Sequence, residues 1–147
     1  MKAEYQFQID AIKGVKIYYV ELEKLIFITD GHAGVYLSER ELKIDKSKMI
    51  QMKPSKDSIS FSPENLLKER TPAKESNIAY KMNSKWAIKL SSKDSGEYCY
   101  VQEKYLKMFK GYNSIFIKSP KDPVLIYRYG VPYGIILPVR ILGEEES

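Results

Sequence analysis

The sequence predicts an α+β chain, with antiparallel sheets and one or two short helices against one face. Three observations carry this. Short runs that alternate apolar and polar residues recur between turn-forming residues, as half-buried strands do. Twelve tyrosines in 147 residues suit pleated, partly exposed surfaces. Helical spacing is confined to two short stretches, one after Ser62-Pro63 and one around Lys104. The length reads as one domain, residues 1–147, with an acidic tail at 143–147 expected to fray.

Tyr5, Phe7 and Ile9 alternate with Gln6, Gln8 and Asp10, the pattern of a half-buried strand, and residues 11–14 are too few for a full helix. Residues 15–23 alternate loosely as a second strand. Glu23 and Lys24 turn the chain into a third at 25–29, and Asp30, Gly31, His32, Ala33 and Gly34 form the turn that Val35, Tyr36 and Leu37 leave. Leu42 and Ile44 suggest a short strand within a polar stretch. Residues 46–93 are basic, with eleven Lys/Arg against four Asp/Glu. Ser62, Pro63 and Glu64 supply a capping serine, a proline at the first helical position and an acid in the first turn. That helix is expected to stop at Thr71-Pro72, because the residue before proline avoids helical backbone angles. Residues 73–77 read as a polar loop. Residues 78–82 and 86–90 read as strands about Asn83-Ser84, and 98–101 as a strand leading into a helix.

In that helix, Val101, Tyr105, Leu106 and Phe109 form one buried stripe, and Lys104, Lys107 and Lys110 recur on another face. Glu103 precedes Lys107 by four residues, the favourable order for an ion pair. Gly111 is placed for a left-handed cap. Ile115 and Ile117 belong to the next strand, residues 124–129 to another, and Gly130-Val131-Pro132 to a break. Residues 133–141 form the last strand, apolar on both faces at Ile135-Ile136-Leu137.

Several chemistries find no support. A lone cysteine, Cys99, rules out an intramolecular disulfide and offers no metal set, and its apolar neighbours mark it as buried. The single histidine, His32, lacks metal-ligand spacing. There is no phosphate-binding glycine loop, dinucleotide fingerprint or nucleophile elbow. No membrane span or signal peptide is evident, so the chain reads as cytoplasmic, non-enzymatic, and without cofactor or metal.

Two stretches together resemble a family. YCYVQEKYLKMFKGYNSIFIKSPKDPVLIYRYGVPYGIILPVRIL, ending in Leu137-Pro138-Val139-Arg140-Ile141, is similar to the C-terminal part of DNA sliding clamps, the DNA polymerase III beta subunit. YYVELEKLIFITDGHAGVYL is similar to the clamp strand pair that ends in Thr-Asp-Gly-His-Arg, with Thr29, Asp30, Gly31 and His32 matching and Ala33 in place of arginine. Clamps carry three domains per chain, and a clamp helix expected near residues 9–13 is not evident here. The chain therefore looks like a shortened or divergent relative, of the kind a phage or mobile element encodes.

The resemblance implies a processivity or accessory protein that binds duplex DNA independently of sequence, through lysines and arginines on its helices. Lys104, Lys107, Lys110, Lys68 and Arg70 are the candidates. It also implies a pocket for short peptides from DNA polymerase or clamp loader, built here from Thr29, Asp30, Gly31, His32, Leu137, Pro138, Val139 and Arg140. A ring would require a homo-oligomer. Two alternatives stand beside this reading. One is an interaction protein, such as a phage inhibitor, that keeps the fold without encircling DNA. The other is a small metal-dependent nuclease or hydrolase using Asp30 and His32.

Overall fold

The computed structural model describes residues 2–82 and 84–141; the acidic tail lies outside them. The chain runs through α1 (Ala3–Ile12), β1 (Tyr18–Glu21), β2 (Ile26–Thr29), β3 (Ala33–Leu37), a 3-10 turn (Lys46–Lys48), β4 (Ile50–Gln51), α2 (Pro54–Ser60) and α3 (Pro63–Lys68). It continues with β5 (Thr71–Met82), β6 (Lys85–Ser91), β7 (Tyr98–Gln102), α4 (Glu103–Met108), β8 (Ser114–Ile117), β9 (Val124–Arg128) and β10 (Val131–Ile136). The strands form one ten-stranded sheet in the order β4-β1-β2-β3-β10-β9-β8-β5-β6-β7. All named pairings are antiparallel except β1 with β4. The α+β class stands.

Alternation along the strands sends successive side chains to opposite faces. Ile26, Ile28, Val35, Leu37, Val124 and Ile126 face one layer, which holds Ala3, Phe7 and Ala11 of α1 and Tyr105 and Leu106 of α4. Phe27, Tyr36, Leu125 and Ile135 face the other, where Phe61 and the α3 residues Leu66 and Leu67 pack. Helices thus cover both faces, and the chain has four α-helices among its described residues rather than one or two on a single face. β3 and β10 meet at Gly34 and Gly134, each covered by a ring. A Cβ on Gly34 would lie 2.3 Å from the Phe27 ring, and one on Gly134 would lie 2.1 Å from the Phe109 ring. Beyond β10 the sheet curls back, and the Val139 N–H donates to the Tyr100 carbonyl of β7 at 2.8 Å.

The first segment corrects the sequence reading: residues 3–12 are helix, not strand. The buried set is Ala3, Glu4, Phe7, Gln8 and Ala11, which is helical spacing disguised by two buried polar residues. Both are satisfied. Glu4 accepts from the Tyr133 hydroxyl and pairs with Arg128 at 3.6 Å. The Gln8 side chain donates to the Glu4 and Glu41 carbonyls at 2.7 and 2.9 Å and accepts from the Lys43 N–H at 2.7 Å. That last bond ties down Leu42 and Ile44 without a strand, so the expected ladder there is absent.

Residues 73–77 are not a loop but part of the twelve-residue β5. β5 pairs with β8 through Thr71, Pro72 and Ala73, then with β6 from Lys74 onward. Its register breaks between Glu75 and Ala79, where the Ser76 hydroxyl donates to the Lys89 carbonyl at 3.1 Å. A side-chain bond there substitutes for part of the ladder, which is why the polar composition misled. The turn before β10 is Tyr129-Gly130, both at positive φ (51° and 76°), so Val131 and Pro132 lie in the strand. Pro132 sits at a register shift. β10 ends at Ile136 rather than at residue 141.

Candidate partner-binding site

The turn between β2 and β3 is built by its own side chains. Thr29 Oγ1 donates to the Ala33 carbonyl at 2.6 Å and accepts from the Gly31 N–H at 3.0 Å. Asp30 Oδ1 accepts from the N–H groups of His32 and Ala33 at 2.8 and 3.0 Å. Gly31 has φ of 95°, a conformation glycine adopts without strain. The Asp30 carboxylate is therefore a turn-forming group, as aspartate commonly is in this position. Its second oxygen accepts from the Tyr105 hydroxyl of α4 at 3.3 Å. The Tyr105 ring stacks on His32, with centroids 6.3 Å apart and planes 24° apart. Burial, with the Asp30 charge beside it, pushes the Tyr105 phenol up to about 12.

β10 delivers the other half. Its register pairs Ile136 with Ala33, and one residue further the Leu137 N–H donates to the His32 carbonyl at 2.9 Å. The Thr29–His32 turn and the Leu137–Arg140 segment, about 105 residues apart in sequence, thus touch within one chain. Gly31, His32 and Arg140 are exposed, Thr29, Asp30, Pro138 and Val139 are half-buried, and Leu137 is 41% exposed. These residues make an open rim, not the apolar cleft the sequence led us to expect. Five clefts formed by described residues have other linings, such as Leu22, Leu25, Ile59 and Pro63 between the β1–β2 turn and the α2–α3 pair.

Lys104 and Lys107 project from α4, and Lys110 lies just past its end. All three are exposed, while Tyr105, Leu106 and Phe109 point inward. Lys107 pairs with Glu103 at 3.0 Å, and the Lys104 ammonium lies 4.8 Å from the centre of the Tyr105 ring. Lys68 is exposed at the end of α3, a helix on the other side of the sheet, so it does not extend the α4 surface. Arg70 departs from its expected role. It is 9% exposed, and its guanidinium donates to the Pro123 and Leu66 carbonyls, both at 2.9 Å. An arginine so occupied fastens α3 to the start of β9 and presents nothing to a phosphate.

Cys99 is fully buried, and burial pushes its thiol up to about 12, which leaves it protonated and unreactive. Among the described residues no group of three His, Cys, Asp or Glu side chains is placed to hold a metal ion, and no helix is long and apolar enough to cross a membrane. The sequence reading missed the link between Tyr105 and Asp30. Its signal was a tyrosine in an otherwise apolar stripe, since a buried phenol needs a polar partner. Compared with protein-family models, curated proteins and solved structures, the chain matches none.

Proposed function

We propose that this chain is a non-enzymatic, sliding-clamp-like processivity or accessory protein of the cytoplasm. In this reading it binds duplex DNA without reading sequence and takes short peptides from DNA polymerase or clamp-loader partners. One contact supports the proposal most: the Leu137 N–H on the His32 carbonyl, which joins the two stretches that resemble clamps. The joined rim offers an exposed leucine beside an imidazole, Pro138 and Arg140, the mix of apolar anchor and polar edge that peptide recognition uses. The α4 surface adds Lys104, Lys107 and Lys110 for phosphate contacts, while Lys68 makes at most a separate one. Encircling a duplex would take several subunits of this length.

The test is a fluorescent peptide from the C-terminus of a replicative polymerase, titrated against wild type, His32→Ala and Leu137→Asp. His32 serves the turn through its backbone, so its side chain can be removed without unmaking the turn. Binding by wild type and a loss of about tenfold or more in each variant is expected for a central anchor. Equal binding by all three proteins would take the rim out of partner recognition.

A further inference from the structure

The β5–β6 hairpin carries a surface distinct from the α4 lysines and bordered by Val139 of the rim. Residues 76–93 contain four lysines, Lys81, Lys85, Lys89 and Lys93, and no acid. The same hairpin leaves Tyr80 42% and Trp86 46% exposed. Exposed aromatic area of this kind marks interaction surfaces.

The register explains how the aromatics gather. Tyr80 pairs with Ala87, and Lys89 with Tyr100, so Tyr80, Ala87, Lys89, Tyr98 and Tyr100 share one face of β5, β6 and β7. Ala87 is small, and across it the Tyr80 ring reaches Tyr100 edge-on at 5.5 Å. Tyr98 meets Tyr100 in the same manner at 6.0 Å. The Lys89 ammonium lies over both, 4.6 Å from the Tyr98 ring centre and 6.0 Å from that of Tyr100. Tyr100 is buried and acts as the support; Tyr80 is the exposed ring, and Tyr98 is half-buried beside it. Lys85, exposed beside them at the hairpin tip, pairs with Met82 and so belongs to the same face.

We infer that this tyrosine–lysine face binds single-stranded nucleic acid, with bases stacking on Tyr80 and Tyr98 and phosphates held by Lys85 and Lys89. Val139 and Ile141 pack over Ala87 and Tyr100 at one side of this face, which leaves Tyr80 and the hairpin tip to solvent. The chemistry fits one occupant. Exposed rings accept unpaired bases whatever their identity, while lysines from a stretch with no acid, residues 76–93, follow the backbone. A duplex hides its base faces and would leave the rings idle. The inference does not rest on the duplex contacts proposed for α4.

The probe is a fluorescent twenty-residue oligothymidylate, titrated against the full chain by anisotropy, with a blunt duplex of equal length and anionic vesicles in parallel. Loss of one stacking ring is worth roughly tenfold in affinity. Tyr80→Ala and Lys85→Glu should each weaken oligothymidylate binding by about that factor, and Tyr80→Phe, which keeps the ring, should restore it. Duplex affinity should not change. Circular dichroism and a melting curve on each variant separate lost binding from lost folding, and Lys85→Glu is a surface change that does not touch the core. Failure to bind oligothymidylate, equal binding by wild type and Lys85→Glu, or selective binding to the vesicles would each overturn the inference.

Discussion

Tyr105 donates its hydroxyl to Asp30 Oδ2 at 3.3 Å, and through this bond α4 and the β2–β3 turn are held as one unit. Replacing Tyr105 by Phe keeps the ring on His32 and removes only the hydroxyl. The expected cost is about 1 kcal/mol, the worth of an ordinary hydrogen bond. Thermal or urea denaturation measures it directly.

The same phenol links stability to alkaline pH. Its folded pKa of about 12 lies above the usual 10.0, so folding favours the protonated form. The resulting stabilisation is complete below about pH 10 and is lost as pH rises through about 12. Burial raises Tyr36, Tyr112 and Tyr133 in the same direction. Urea midpoints taken from pH 8 to pH 11.5 should hold steady at first and fall above pH 10, less steeply in Tyr105→Phe. A midpoint that rises over this interval would contradict the sign.

Glu4 anchors α1 from within the core. It is 6% exposed, accepts from Tyr133 and pairs with Arg128, whose guanidinium lies 4.1 Å from the Tyr133 ring centre. Glu4→Ala strands a buried hydroxyl and removes the partner of a charge, with an expected loss of about 3 kcal/mol. Glu4→Gln keeps an acceptor for the phenol and should cost less. The order of the two melting temperatures checks the assignment.

Arg70 separates a structural cation from those proposed to face DNA. Arg70→Ala frees the Leu66 and Pro123 carbonyls and should destabilise the fold by about 2 kcal/mol. Arg70→Lys should recover little, since a lysine cannot reproduce the two-pronged geometry. Neither variant should alter duplex affinity at a temperature where both remain folded.

Most strands were legible because one or both of their faces are apolar and their turns carry diagnostic residues. Ile26 and Ile28 alternate with Phe27, and Asp30-Gly31 announces the turn that follows. The Ser62-Pro63 start of α3 was equally plain. α1 was hidden because it buries Glu4 and Gln8 while Tyr5 and Ile12 face outward at 50% and 65% exposure. The polar half of β5 was hidden because its support comes from the Ser76 side chain. At the candidate site, the meeting of His32 and Leu137 was anticipated through the resemblance to clamps alone. No local pattern at either residue points to the other. The burial of Arg70 was out of reach because its carbonyl partner at Pro123 lies 53 residues away in sequence.

The duplex-binding claim is tested most directly by titrating end-blocked duplex DNA with wild type and with Lys104→Glu/Lys107→Glu/Lys110→Glu at 50 and 200 mM salt. All three lysines are exposed, so the triple variant should fold. Wild-type affinity is expected to fall roughly tenfold or more between the two salts if about three phosphates are neutralised, and the variant should lose most of its low-salt binding. Equal retention of the two proteins, or wild-type binding that ignores salt, would contradict a DNA-binding role for this surface.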